Sequence, residues 1–302
     1  MGQHRETRGF SLLEVLVVIG LITVLMGILL PAVQSARESM RRLACVNNLR
    51  QLGLAVQNYE GAFRVLPVSI GPWAEGSGWP RERNGKGWLV SILPQIEQAV
   101  LFEQFEPAFR GNFFTGGGLK SDHGLELMKL QIAMFRCPSD GSNQGLSTSQ
   151  FYFERQPVAI TNYKGVLGDN SVKQSVGYEC YRRGDCNGLF YRTSYQRPLK
   201  MAHVSDGTSH TSMIGEDVAK YNDHSAAFFA NSDWCSCEQK LNYMPQPPRP
   251  KNWAKVMSFR SHHAEGANFC MADGSVRFVD ENVNHMIYRD MCTKNGGEVP
   301  LE

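Results

Sequence analysis

Gly9 precedes Phe10, and four residues further on a single carboxylate, Glu14, stands among apolar neighbours. Residues 15–33 then carry no charge and one polar side chain, Thr23. An acid within a hydrocarbon layer costs on the order of 2–3 kcal/mol on insertion scales, so Glu14 is expected to be paired or functional. Cleavage after Gly9 would create its partner. The freed α-amino group of Phe10, with an ordinary pKa of about 8, is mostly cationic at neutral pH and can meet the Glu14 carboxylate of a neighbouring chain.

Other groupings offer weaker chemistry. Cys235 and Cys237 with His262 and His263 are zinc-type ligands, but their spacing is unlike a compact Cys-x2-Cys site and export favours disulfides, so no metal is expected there. Asp206-Gly207, Asp273-Gly274 and Asp169-Asn170 supply oxygens suited to calcium and are equally good turn formers; turns are the expectation, with calcium the alternative and no other cofactor. His263 could act as a ligand or as a switch titrating near neutrality. The expected role is structural, hydrogen-bonded to the hairpin at Asp273. Asp206, Ser209 and His210 carry hydrolase chemistry but crowd into one turn. The chain has no Gly-x-Ser-x-Gly, phosphate loop or dinucleotide fingerprint, so no enzymatic activity of its own is expected.

These residues must be placed by a chain of 302 residues with a net charge of +2. Its charges are interspersed, with no basic stripe or acidic tail, so no nucleic-acid partner is expected. At about 1.5 Å per residue, a helix over 15–33 spans most of a roughly 30 Å hydrocarbon core. His4, Arg5 and Arg8 precede it, which leaves the N-terminus cytoplasmic and exports the body. A secretory signal peptide, cut near Val33-Gln34-Ser35, or an uncleaved anchor is the alternative, but its usual apolar core is shorter, about 7–15 residues. The eight cysteines, all beyond the apolar run, fit an oxidising compartment.

Ala36, Met40, Leu43, Leu49, Leu52, Val56 and Tyr59 recur mostly at steps of three or four, with Arg37, Glu38, Arg41, Arg42 and Arg50 between them. That pattern predicts one helix from the membrane to about Glu60, its second half amphipathic. Pro31 and Gly27 allow it to bend. After Gly61, short apolar runs between Gly, Pro, Asn and Asp give a loop-rich α+β texture. A helical stretch follows Pro94 through Phe105, and another is expected over 125–135. Strands are expected over 163–167, 188–191, 211–214 and 226–230. The clearest element is a hairpin, with Ala267, Phe269 and Met271 alternating towards Asp273-Gly274 and Val276 and Phe278 away from it. A short helix is expected over 283–291.

Gly9-Phe10-Ser11-Leu12-Leu13-Glu14 followed by an apolar helix resembles the signal of type IV pilins and type II secretion pseudopilins. The resemblance implies cleavage between Gly9 and Phe10 by a prepilin peptidase, N-methylation of Phe10, and pairing of the helix with other pilin-like subunits, with Glu14 as the carboxylate that sets their register. The implied fold is α+β and pilin-like: a long N-terminal transmembrane-plus-amphipathic helix packed on an antiparallel β-sheet body with extra loops. Its parts are a leader (1–9), a membrane helix (10–33), its amphipathic continuation (34–60) and an exported body (61–302).

Further blocks are Cys45-Val46-Asn47-Asn48-Leu49-Arg50, Phe135-Arg136-Cys137-Pro138-Ser139-Asp140, Thr161-Asn162-Tyr163-Lys164-Gly165-Val166, Ser205-Asp206-Gly207-Thr208-Ser209, Gly215-Glu216, and His263 with Asp273-Gly274. In this order they resemble a bacterial family of prepilin-like proteins whose C-terminal region carries a His-x9-Asp-Gly motif. Cys45 and Cys137 lie inside these blocks and could tie helix to body; Cys180 with Cys186 is the other expected pair, among 105 possible pairings of eight cysteines. The expected role is a subunit held in the inner membrane, single-pass, until it joins an envelope or cell-surface filament. The alternative is a tethered binding module, for glycans for instance, that never polymerises; Trp73, Trp79 and Trp234, expected to be exposed, motivate it.

Overall fold

In the computed structural model, the described residues are 12–72, 83–141, 145–169, 180, 185–245 and 256–297. Helix α1 (Leu12–Phe63) runs 52 residues and passes through Pro31 without a break. Its apolar side chains from Leu12 to Val33 are exposed, as a segment surrounded by lipid or by other helices requires. It is the one helix among the described residues long and apolar enough to cross a membrane. The amphipathic half buries Cys45, Leu49, Leu52, Gly53, Ala55 and Val56, spaced at three and four residues on one face. Met40 and Leu43, expected in that stripe, stay exposed, because the body covers the apolar side chains of the helix only from Cys45 onwards.

The body carries short helices α2 (Trp88–Ser91), α3 (Ala99–Phe105) and α4 (Asp122–Leu127). A two-stranded ribbon follows, β1 (Leu146–Ser147) with β2 (Val158–Ala159). The main sheet has five strands: β3 (Tyr163–Val166), β4 (Ser212–Glu216), β5 (Trp234–Cys235), β6 (Gly266–Met271) and β7 (Val276–Asp280), in the order β5-β3-β4-β6-β7. All neighbours are antiparallel except β3 and β5, which run parallel. Helix α5 (His285–Asp290) closes the chain, capped by the Asn284 side chain accepting from Met286 N.

The sheet separates two cores. Along β6 successive side chains point to opposite faces. Cys270 packs on the α1 side with Leu49, Leu52, Val56 and Ile214. Ala267, Phe269 and Met271 pack on the other side with Phe259 and Tyr288. The β6–β7 turn seats the helix as well. Gly274 takes φ +83°, left-handed geometry that a side chain disfavours, and Gln57 Nε2 donates to Ala272 O at 3.3 Å. Fifteen residues earlier on α1, the Arg42 guanidinium lies 3.7 Å above the Phe278 ring, a cation–π contact that fixes helix to hairpin.

Three local expectations differ. Residues 188–191 form no strand; Gly188, Leu189 and Phe190 donate irregularly to Leu167 O and Val166 O. Residues 226–230 make only isolated bridges, to Ile160 and Lys86. The stretch 125–135 is helical only at its start, and becomes a 3-10 turn over Ala133–Phe135.

Candidate functional site

Two parts of the chain carry chemistry. In the first, Glu14 lies exposed in the opening turn of α1, at the foot of the bare apolar helix. Gly9 and Phe10 fall outside the described residues. The second part is the joint where α1 meets the body.

At the joint, Glu38 and Cys45 sit seven residues apart, two helical turns, and therefore share one stripe of α1. Cys137 follows the 3-10 turn Ala133–Phe135, Glu216 ends β4, and His263 precedes β6. Cys45 and Cys137 form a disulfide, with Cα atoms 5.4 Å apart. His263, 3 % exposed, stands between the partners. Its Nδ1 is 2.9 Å from Glu38 Oε1, its Nε2 is 3.4 Å from Glu216 Oε1, and that nitrogen lies 3.6 Å from Cys137 Sγ. Ser139 Oγ donates to Glu38 Oε1 at 2.8 Å, and Arg41 pairs with the other Glu38 oxygen at 3.5 Å. Glu216 is held in turn by Asn268, whose backbone N–H donates to Oε2 at 2.7 Å.

The electrostatics follow from this enclosure. Burial alone would lower the pKa of His263, but Glu216 and then Glu38 outweigh it and hold the imidazole above its ordinary value. Burial likewise raises Glu38, yet the Ser139 hydroxyl and His263 leave its carboxyl below the usual range. The two partners shift in the directions of a charged pair.

Neighbouring blocks converge on the same place. Asn162 Oδ1 accepts from Cys137 N, and Asn162 Nδ2 donates to Asp140 Oδ2 and Asp217 O. Asn48 of α1 donates to Arg136 O at 3.1 Å and to the Tyr163 hydroxyl at 3.2 Å. Residues scattered through the sequence thus form one polar seam along the helix.

Several predicted groups are placed differently. Asp273 does not receive His263; it accepts from Ser275 N and Oγ, closing the hairpin turn on itself. Cys237 is bonded to Cys292, and Cys235 is buried beside Asp217 and Asn222, so the four ligands Cys235, Cys237, His262 and His263 do not assemble. Trp234 is 1 % exposed, its indole N–H donating to Ala230 O; Trp73 and Trp79 lie outside the described residues. Cys180, by contrast, pairs with Cys186, the partner expected for it. Asp206 accepts from Gly296 N and Gly297 N, tying down the C-terminal segment, and Asp169 pairs with Arg289 at 2.7 Å.

Sequence reasoning missed Glu38 as a site residue, although its position two turns before Cys45 was a usable signal. It also missed a buried ionic layer under the sheet. Lys164 and Arg260 are fully buried with Asp217 and Asp233, Arg260 Nη1 lying 3.5 Å from Asp217 Oδ1. Single charges inside strand-like runs gave no hint of one another.

Comparison with known proteins agrees with this anatomy. A family model described as a prokaryotic N-terminal methylation motif matches residues 4–30, and one described as a protein of unknown function (DUF1559) matches residues 34–285. No curated protein and no solved structure matches the chain. The first match marks a type IV pilin-like subunit, processed by prepilin peptidase and anchored to the membrane by its N-terminal helix. The second covers most of the remaining chain, which therefore belongs to the DUF1559 family.

Proposed function

We propose that the protein is a structural subunit of a pilin- or pseudopilin-type envelope filament, cut between Gly9 and Phe10, methylated at Phe10 and held in the inner membrane with its body exported until it assembles. The observation that carries this reading is the form of α1: a bare apolar half with Glu14 in its first turn, continuous with a half bolted to the body. An exposed apolar helix with one acid is suited to stacking against copies of itself, where the Phe10 α-amino group of one chain neutralises Glu14 of the next. The Cys45–Cys137 bond and the His263–Glu38 contact transmit load from that stack to the body.

Mass spectrometry of the mature N-terminus and assay of sheared filaments with Glu14→Ala test the reading. N-methylated Phe10 and loss of assembly in the variant are expected. A mature start at Ala36, or an intact Met1, would overturn it.

A second reading, a tethered binding module, draws on a different observation. An open cleft of about 670 Å³ is lined by Phe114, Phe151 and Tyr152 together with Lys120, Glu154 and Arg155, and Phe151 is 81 % exposed. Aromatic faces beside charged groups suit a sugar ring. Correct processing with Glu14→Ala leaving localisation and function intact would favour this reading.

A further inference from the structure

The joint holds more ligand chemistry than a structural disulfide requires. Such a bond needs neither an imidazole nor a carboxylate aimed at its sulfurs, yet one donor atom each from Cys45, Cys137, His263 and Glu216 lies within 4.8 Å of the other three, all four residues buried. We propose that in its dithiol form the chain binds one Zn2+ through Cys45 Sγ, Cys137 Sγ, His263 Nε2 and the Glu216 carboxylate, so that metal and disulfide are alternative closures of the same joint.

The ligand set and the geometry support this. Two thiolates with one imidazole and one carboxylate suit the tetrahedral preference of zinc for sulfur, nitrogen and oxygen donors. Zinc–sulfur bonds of about 2.3 Å place two sulfurs about 3.8 Å apart. Cysteines whose Cα atoms are 5.4 Å apart reach that separation by side-chain rotation. The outer contacts are those of a built metal site. Glu38 engages His263 Nδ1 at 2.9 Å, so a metal would take Nε2, which faces Cys137 and Glu216, in place of the proton that nitrogen holds in the charged pair, while Nδ1 keeps its own: the carboxylate–histidine–metal arrangement. Asn268 positions Glu216 through backbone and side chain. Glu38, about one-third exposed, is the solvent-facing member of the cluster.

The two closures interconvert by thiol–disulfide exchange. Oxidation by a disulfide-donating oxidant breaks both zinc–sulfur bonds, forms the Cys45–Cys137 bond and releases Zn2+. The two electrons given up by the cysteine thiolates, with two protons from solvent, convert the oxidant into two thiols, and a dithiol reductant reverses the step. The chain would thus leave the cytoplasm with its joint closed by metal and exchange that closure for a covalent one outside.

The test uses the full-length chain in detergent, purified under reductant, titrated with Co2+ as a spectroscopic stand-in and then displaced by Zn2+. We expect one equivalent per chain with a tetrahedral spectrum carrying two thiolates, no binding by the oxidised chain, and loss of that equivalent in Cys45→Ser/Cys137→Ser, which retains every other cysteine. Glu38→Gln keeps all four ligands and should weaken binding by about tenfold or more. A double variant that binds as tightly as the wild type, or a wild-type spectrum with any other number of thiolates, overturns the proposal. The wild-type spectrum decides even where a variant fails to fold.

Discussion

His263 Nδ1 meets Glu38 Oε1 at 2.9 Å across 225 positions of sequence, and it does so where α1 passes from its bare half to its docked half. Glu38→Ala removes the acceptor shared by His263 and Ser139. Because Glu38 is 37 % exposed, solvent screens the pair and the global loss should stay below about 1.5 kcal/mol. The local effect should be larger. Amide exchange over residues 34–44 is expected to accelerate while β4 and β6 keep their protection. Unchanged exchange in that turn would show that the contact does not hold the helix.

Gly53 is set against the sheet so closely that an added Cβ would come 2.5 Å from Cys270 Sγ and 3.5 Å from Gly274 Cα. Alanine would otherwise favour the helix by about 1 kcal/mol over glycine. Here overpacking wins, and Gly53→Ala should destabilise by about 1–2 kcal/mol. Removing the sulfur should relieve it, so Gly53→Ala with Cys270→Ala is expected to recover most of the loss in a thermal-unfolding double-mutant cycle. Strict additivity would mean that the two residues do not meet.

The parts of this architecture that could be read in advance are those written in short-range periodicity. The three-to-four spacing of Leu49, Leu52 and Val56 gives α1, which ends at Phe63. The alternation around Asp273-Gly274 gives the β6–β7 hairpin, whose register runs from Gly266 opposite Asp280 to Cys270 opposite Val276. What escaped is decided at long range. β5 is two residues long and pairs in parallel with β3, a connection with no local signature. Residues 226–230 are as apolar as a strand but find no continuous partner. Trp234, expected at the surface, is nevertheless buried, because β5 is sealed between β3 and the loop around Met257. For the site, Cys45, Cys137, Glu216 and His263 could each be singled out, but only the folded sheet brings them to the same face of α1.

Arg260 and Asp217 are both without exposure and lie 3.5 Å apart. Arg260→Ala strands a buried carboxylate, although Asn222 and Val218 N–H still contact it. The expected cost is about 3–5 kcal/mol in denaturant unfolding. Arg260→Met combined with Asp217→Asn removes both charges while keeping most of the volume, and should be the more stable of the two variants. The opposite ranking would show that the pair contributes more than the mutual cancellation of its charges.

Asp233 supplies the pH dependence. Burial pushes its carboxyl from 3.8 up to about 7, despite opposing contributions from Lys164 and the Trp88 N–H, which donates to Oδ2 at 2.7 Å. Between these values the folded state keeps a proton that the unfolded state has released. The stabilising contribution is complete below about pH 4 and is lost as pH rises towards 7, with a slope approaching about 1.4 kcal/mol per pH unit from this group alone. Lys164 faces Asp233 across the buried layer, with its own pKa lowered chiefly by burial, and both variant and wild type retain it. Asp233→Asn mimics the protonated acid, so the difference in unfolding free energy between wild type and variant should shift in favour of the variant from pH 4 to 7 and level off above. A difference that is flat across that interval would show that Asp233 is ionised throughout.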